Sequence, residues 1–376
     1  MSVAVVVPSL GVGGCEMYAA DLAGEMSRIA PTRLICQAPI QAALRRRASP
    51  AVVTGIGPAE SGASFAAAVD AYLSSFVPGH LVVVIPLPVE EVGTTPEPVA
   101  VLEAADARGI PTTAVFQLCH RVFDATAAAR RAADRLTRTQ RWVTVSHDNR
   151  THLADTFRVP ADRLAVVPNG VAVARQDGAG PLGGLRSELG LTRDTFVVLS
   201  VGRLVASKRQ VDAIAAMALL PDDVHLAIAG EGPERSALAA RVNAAGLDSR
   251  VTLLGHRDDV PTLLDDGDVF VFPSVAEGAS FALLEAMAAG LAVVAARCGS
   301  NAEIVRDGVD GYLHEPASAE DVAAKLSQLV LNRGLAAALG RSARRRVEMT
   351  YDRRVMVRDT LRLVLGDRAG VEGEKA

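Results

Sequence analysis

Two stretches of this 376-residue sequence bring charged side chains to positions just after apolar runs. In Val201-Gly202-Arg203-Leu204-Val205-Ala206-Ser207-Lys208 the run stops at a glycine, Arg203 follows, and Ser207 is placed to cap a helix starting at Lys208. A lysine in a first helical turn opposes the helix macrodipole, at a cost of a few tenths of a kcal/mol, roughly, unless an anion sits beside it. The choice of residue is informative, because only Lys208, Lys325 and Lys375 are lysines among 39 basic residues. Lys208 then reads as a compact point charge for phosphate, with Arg203 as a forked partner and helix amides as further donors. Residue types alone leave a solvated surface pair as an equal alternative.

The second stretch is Pro273-Ser274-Val275-Ala276-Glu277-Gly278-Ala279-Ser280-Phe281-Ala282-Leu283-Leu284-Glu285-Ala286-Met287-Ala288-Ala289-Gly290. A loop carrying Glu277 should lead into a helix from about Ser280 that stops at Gly290. Between Ala279 and Leu291 the only charged residue is Glu285. An acceptor-only carboxylate on an apolar helix needs donors, and vicinal sugar hydroxyls are suitable ones. A solvent-facing or arginine-paired Glu285 is the alternative, although helical spacing puts Phe281, Ala288 and Ala289 on its side.

Two more places follow apolar runs. Thr112 to Leu118 leads to Cys119 and His120, a histidine that either reaches a ligand or is an ordinary exposed residue at a strand end. Ser9-Leu10-Gly11-Val12-Gly13-Gly14 follows the first run, and its glycines allow backbone amides to approach a phosphate or an acceptor. It is not the dinucleotide fingerprint, because Glu16 stands where the third glycine belongs, and it lacks the Lys-Ser/Thr ending of a P-loop. Asp265-Asp266-Gly267-Asp268 resembles a metal-binding pair but precedes a strand, at the wrong edge of a sheet, so it reads as a turn. The arginines Arg341, Arg344, Arg345, Arg346, Arg353 and Arg354 read as the solvated face of C-terminal helices, with contact to anionic lipid or an acidic partner as the alternative.

The elements that must position these residues are legible as short β-branched runs alternating with helical stretches. The runs are Val3–Val7, Leu81–Ile85, Thr112–Gln117 and Trp142–Val145, then Phe196–Val201, His225–Ala229, Val269–Phe272 and Ala292–Ala295. Such runs, apolar on both faces, predict parallel sheets covered by helices, an α/β doubly wound fold in two domains of four strands each. In such sheets ligands bind outside the carboxyl ends of the strands, where all four places lie. The glycine-rich stretch Asn169–Gly184 predicts the hinge.

Composition sets the remaining bounds. Hydrophobic residues are 49% and charged residues 22%, enough for two buried cores. The net charge of −4 gives no overall attraction to nucleic acid or an anionic membrane. Cys15, Cys36, Cys119 and Cys298 have no metal-ligand spacing, so neither zinc nor a disulfide is expected, and a reducing, cytoplasmic setting is. Met1 to Gly14 lacks a basic residue and is interrupted by Pro8, so it reads as a first strand rather than a leader. Pro86 and Pro88 break the longest apolar stretch, and no stable membrane insertion is expected.

In their order along the chain these motifs resemble the retaining glycosyltransferase family 4, the glycosyl transferases group 1. The resemblance is carried by Gly202-Arg203, Lys208, and Glu277-Gly278 with Glu285. It is supported by Gly13-Gly14 with Glu16, Ser146, Val167-Pro168-Asn169-Gly170-Val171, Gly230-Glu231-Gly232-Pro233 and Leu254-Gly255-His256. It implies the GT-B architecture, two Rossmann-like domains facing across a cleft. The expected divisions are 1–170 as the acceptor-side domain, 171–194 as linker, and 195–350 as the nucleotide-sugar donor domain; a helix at 351–365 is expected to pack back on the first domain, and 366–376 is expected as a disordered tail.

By the same resemblance Arg203 and Lys208 hold the donor diphosphate, Glu285 the ribose hydroxyls and Glu277 the hydroxyls of the transferred hexose. Gly14 and the amides of Gly278, Ala279, Ser280 and Phe281 add donors, Gly13 and Gly14 form the acceptor-side loop, and His120 lies near the sugar. Arg121 follows that histidine, and Ala172 follows Asn169-Gly170-Val171, where relatives often carry acidic residues. The implied reaction is transfer from a nucleotide diphosphate sugar to a hydroxyl of a small molecule or glycolipid, a specialised metabolite or cell-envelope glycoconjugate. No metal and no other cofactor is expected, nucleic acid is not a partner, and the oligomeric state is left open. A nucleotide-sugar epimerase of the same fold would need further acid and base residues. A non-catalytic nucleotide-sugar binder would not need Glu277 and His120.

Overall fold

Every paired strand in the computed structural model runs parallel to its neighbours; the structure describes residues 1–9, 13–48, 52–56, 64–85, 97–117, 141–173 and 184–365. The chain divides into two units, one of residues 1–169 with the segment from Arg353, the other of Gly170–Asp352.

In the first unit the strands are β1 (Val3–Val7), β2 (Thr32–Gln37), β3 (Val53–Ile56), β4 (His80–Ile85), β5 (Thr112–Phe116), β6 (Arg141–Thr144) and β7 (Leu164–Val166). Their order across the sheet is β3-β2-β1-β4-β5-β6-β7. β1, β4 and β5 are buried at every position, because helices cover both faces. One core face is filled by Ile35, Val69, Leu81, Val83 and Leu153, with Phe116 stacked on Trp142 at 4.7 Å between ring centres.

The chain re-enters this unit at the helix Arg353–Leu365, which packs against the helix Gly14–Met26. The side chain of Asp21 there is 1% exposed and accepts from Arg47 at 2.8 and 2.7 Å and from Arg353 at 3.0 Å. Arg141 at the start of β6 donates to the Leu363 carbonyl at 2.7 Å.

In the second unit the strands are β8 (Phe196–Val201), β9 (Val224–Ala229), β10 (Val251–Gly255), β11 (Val269–Phe272), β12 (Ala292–Ala296) and β13 (Gly311–His314), in the order β10-β9-β8-β11-β12-β13. The core joins Val198, Ile228, Val271 and Val294 to Ile214, Leu326 and Leu339 from the covering helices. The helix Gly184–Glu188, inside the stretch expected as linker, is tied into this unit. Asp266 accepts from the Leu185 amide at 2.7 Å, and Asp268 accepts from Arg186 and the Val197 amide, each at 2.7 Å. The stretch expected as a turn is instead the end of the helix Val260–Asp266 with the two residues before β11, and its Asp266 and Asp268 bind backbone and arginine.

Two expectations need correction. The sheets hold seven and six strands among the described residues, not four each. The strands missed, β2, β3, β7, β10 and β13, are the four sheet edges and one neighbour of an edge, where a solvated or polar face breaks the apolar run. The C-terminal arginines do more than solvate helices. Arg344 donates to the Ala288 carbonyl at 2.9 Å, and Arg346 donates to the Ile304 and Glu303 carbonyls at 2.6 and 2.8 Å. Both act on helix C-terminal carbonyls, where a cation is favoured. No helix among the described residues is long and apolar enough to cross a membrane.

Candidate functional site

The second sheet reverses direction between β8 and β11. Successive strands lead outward from β8 through β9 to β10, then from β11 through β12 to β13. Such a switch point separates the loops at the carboxyl ends of its two central strands and leaves a crevice between them. The loop after β8 carries Arg203 and Lys208, and the loop after β11 carries Glu277.

After β8 the backbone runs against the loop after β9. The Gly202 amide donates to Ala229 O at 3.0 Å, and the Leu204 amide to Glu231 O at 2.8 Å. Gly230 is required here, because a Cβ at its φ of 149° would overlap the Gly202 carbonyl. Arg203 is exposed, and its own carbonyl is held by Gln210 Nε2 at 3.0 Å.

The expected helix at Lys208 does not begin there. Ala206–Lys208 is a single 3₁₀ turn, Arg209 is left-handed at φ 50°, and the α-helix is Gln210–Met217. Arg209 is held by Asp212 at 2.6 and 2.9 Å, which offsets the steric cost of a left-handed arginine. Ser207 is not a helix cap; its carbonyl accepts the Val275 amide at 3.0 Å and so ties the two loops together.

Across this tie Lys208 Nζ meets Glu277 Oε1, with the two side chains 18% and 10% exposed. The ammonium also lies 5.4 Å from the centre of the Phe272 ring. The charge that sequence reasoning left uncompensated at Lys208 is therefore met by the carboxylate of the other candidate loop. Ser274 Oγ lies 2.5 Å from the same Glu277 oxygen, and Ser300 Oγ donates to the Glu277 carbonyl at 3.3 Å. Asn301 Nδ2 donates to the Ser274 and Ala296 carbonyls at 3.1 and 3.2 Å.

Gly278, Ala279 and Ser280 are buried, and Ser280 caps the helix Phe281–Ala288 by accepting from the Leu283 amide at 3.4 Å. Phe281 and Glu285 are half-buried on that helix. Among the described residues no group of three or more His, Cys, Asp or Glu side chains is placed to hold a metal ion.

In the first unit, Gly13 precedes the helix Gly14–Met26, and its amide donates to Glu16 Oε2 at 2.7 Å. That amide is committed to the chain's own carboxylate, while Gly14 opens the helix and is exposed. His120 lies outside the described residues, as does the 366–376 tail. Sequence reasoning missed Ser274, Ser300 and Asn301. The first was findable by inspecting every polar residue directly after a strand; the others needed the fold of the loop after β12.

Residues 185–346 match the family described as glycosyl transferases group 1. An Escherichia coli UDP-Gal:alpha-D-GlcNAc-diphosphoundecaprenol alpha-1,3-galactosyltransferase is 32% identical over 185 residues, 47% of this chain and 48% of the relative. A Bacillus anthracis N-acetyl-alpha-D-glucosaminyl L-malate synthase is 30% identical over 165 residues, 43% of each chain. The chain thus spans about half the length of the curated relatives it matches. Among solved structures, Anabaena HepE in complex with UDP and glucose superposes with a TM-score of 0.83 at 22% identity, covering 96% of this chain and 99% of that one. The shared fold is GT-B, with two Rossmann-like parallel-sheet domains.

Proposed function

From the match of residues 185–346 to the glycosyl transferases group 1 family, we propose that the chain transfers a hexose from a nucleotide diphosphate sugar to a hydroxyl acceptor with retention of configuration. The observation that carries this reading is the meeting of Lys208 and Glu277 at the switch point of the second sheet, with Arg203 on the same loop as Lys208.

Breaking the sugar–phosphate bond leaves an oxocarbenium-like sugar and a diphosphate that gains negative charge. Cations fixed beside the leaving group stabilise that transition state more than the ground state. In this reading Lys208 and Arg203 take the diphosphate, Glu277 the hydroxyls of the sugar and Glu285 those of the ribose. Gly278, Ala279, Ser280 and Phe281 supply backbone donors at the start of the Phe281–Ala288 helix. His120 and the Gly13-Gly14 loop are assigned to the sugar and acceptor by resemblance alone. The acceptor proton leaves toward the departing phosphate on the same face of the sugar, so the step needs no nucleophile from the protein. The two cations supply the positive charge for the leaving group, and turnover is proposed to need no metal.

The bound forms of the Anabaena structures, UDP with glucose and UDP-glucose, support a uridine nucleotide as the first donor to try. The relatives' names point to cell-envelope glycoconjugates or small-molecule conjugates as acceptors, and the reading sets the reaction in the cytoplasm. Calorimetry with nucleoside diphosphates and their sugars, with and without EDTA, tests the donor assignment. Micromolar binding in EDTA is expected. Lys208→Ala should weaken diphosphate binding and lower turnover on the order of 100-fold, as for loss of one preorganised charge at a leaving group. Unchanged kinetics would overturn the assignment.

A further inference from the structure

Ser274 lies two residues after Phe272, the last residue of β11, and it is 0% exposed. Its hydroxyl has two acceptors in reach, Glu277 Oε1 at 2.5 Å and the Ser207 carbonyl at 3.3 Å. The carbonyl already takes the Val275 amide at 3.0 Å. A serine has one hydroxyl proton, and the shorter contact to a charged acceptor is the stronger one. Glu277 Oε1 therefore receives both the Ser274 hydroxyl and the Lys208 ammonium, whereas Oε2 has no hydrogen-bond partner among the described residues.

That asymmetry matters because the terminal torsion of a glutamate is soft and roughly two-fold, so an ion pair alone lets either oxygen face the lysine. Two donors from different elements on one oxygen fix the carboxylate plane. We infer that Ser274 is a positioning residue for the donor sugar: by holding Oε1 beside Lys208, it leaves Glu277 Oε2 as the oxygen that accepts from the hydroxyls of a nucleotide-bound sugar. The inference rests on the roles proposed above for Lys208 and Glu277, and it adds a residue that separates recognition of the sugar from recognition of the diphosphate.

The backbone at Ser274 is fixed without its hydroxyl. Its carbonyl accepts from Asn301 Nδ2 at 3.1 Å and from Cys298 Sγ at 3.2 Å. Removing the hydroxyl therefore frees the Glu277 carboxylate while leaving the loop anchored.

The test is calorimetry on the full chain with three probe pairs: UDP and UDP-glucose, ADP and ADP-glucose, GDP and GDP-mannose. Ser274→Ala removes the donor, and Ser274→Cys keeps the side-chain volume with a poor donor should the alanine variant fold badly. With whichever pair the wild type binds, both variants should lose about tenfold in affinity for the nucleotide sugar, the scale of one hydrogen bond to a charged group. Affinity for the bare diphosphate should stay within about twofold. In a Glu277→Gln background, Ser274→Ala should add little, since its effect passes through that carboxylate. Equal losses for sugar and bare diphosphate, or an additive double variant, would reduce Ser274 to a packing residue. Wild-type binding with unchanged Ser274 variants overturns the role of Ser274 alone; a folded wild type that binds no pair overturns the donor-site reading and this inference with it.

Discussion

The segments that lead out of the two central strands, β1 and β8, meet the same geometric problem and answer it in opposite ways. Both strands sit at the switch point of their sheet and feed a helix. In the first unit Glu16, 4% exposed, turns its carboxylate back onto the Gly13 amide and so sets a negative charge at the positive end of the helix Gly14–Met26. In the second unit the first-turn acid, Asp212, is taken up by the left-handed Arg209, and the loop before it exposes Arg203 and pairs Lys208 with Glu277. A buried acid at a helix entry disfavours a second anion there, whereas in the second unit the acid of the helix is taken by Arg209 and Arg203 stays exposed. Two sheets of nearly the same topology are thus distinguished by the use of a single carboxylate.

The sharpest way to break the comparison is through the glycines. Gly230→Ala places a methyl group in the Gly202 carbonyl at a positive φ, so the loop that carries Arg203 must move. The expected loss is about 4 kcal/mol, or roughly 10 °C in melting temperature, together with diphosphate affinity, read by calorimetry. Among the described residues Gly13→Ala meets the Glu16 carboxylate alone, at 3.3 Å, and should be much milder.

A second effect separates the units by pH. Burial, helped by the charge of Arg141, holds His80 in β4 down to about 4. Burial likewise lowers His225, with help from Arg250, and His314, where the Glu315 carbonyl and nearby carboxylates only partly oppose it. A histidine whose folded pKa is depressed contributes stability that is complete above its unfolded value of about 6.5 and is lost as pH falls toward the folded value. For His80 the window is therefore from about 6.5 down to about 4, with a loss on the order of 3 kcal/mol at its lower end. Thermal melts across this range should fall with acidity, and His80→Gln should flatten the part of the slope that belongs to the first unit.

The smallest effect tests the closed helix entry. Glu16→Gln should cost about 1 kcal/mol of stability, the scale of a lost cap, and leave affinity for nucleoside diphosphates unchanged. A loss of affinity in that variant would mean that the first glycine loop also serves the nucleotide.

What the sequence shows and hides follows this division. Val3–Val7 and Phe196–Val201 are legible because strands buried on both faces are apolar throughout. Thr32–Gln37 hides because Arg33 is exposed and Gln37 half-buried, and Gly311–His314 hides because a glycine, a tyrosine and a histidine occupy an edge strand. At the candidate site Lys208, Glu277 and the Ser280 cap stand out by residue type and place. The partnership of Lys208 with Glu277 does not, since it spans 69 residues and depends on the strand order β8-β11. The helix expected at Lys208 fails for a local reason: Arg209 takes a conformation usually left to glycine, and only its clamp to Asp212 makes that acceptable.

The path of the chain through the two units also fixes the order in which they can be completed during synthesis. Gly170–Asp352 is a single continuous segment, whereas the first unit needs the helix that begins at Arg353. Domains made first ordinarily fold first as the chain leaves the ribosome. Here the later unit is the first to have all its residues, and the earlier one waits for Arg353 to reach Asp21. A nascent chain that has released Asp352 but not the helix after it therefore carries a finished second unit and a first unit whose Gly14–Met26 helix still lacks its Arg353–Leu365 neighbour.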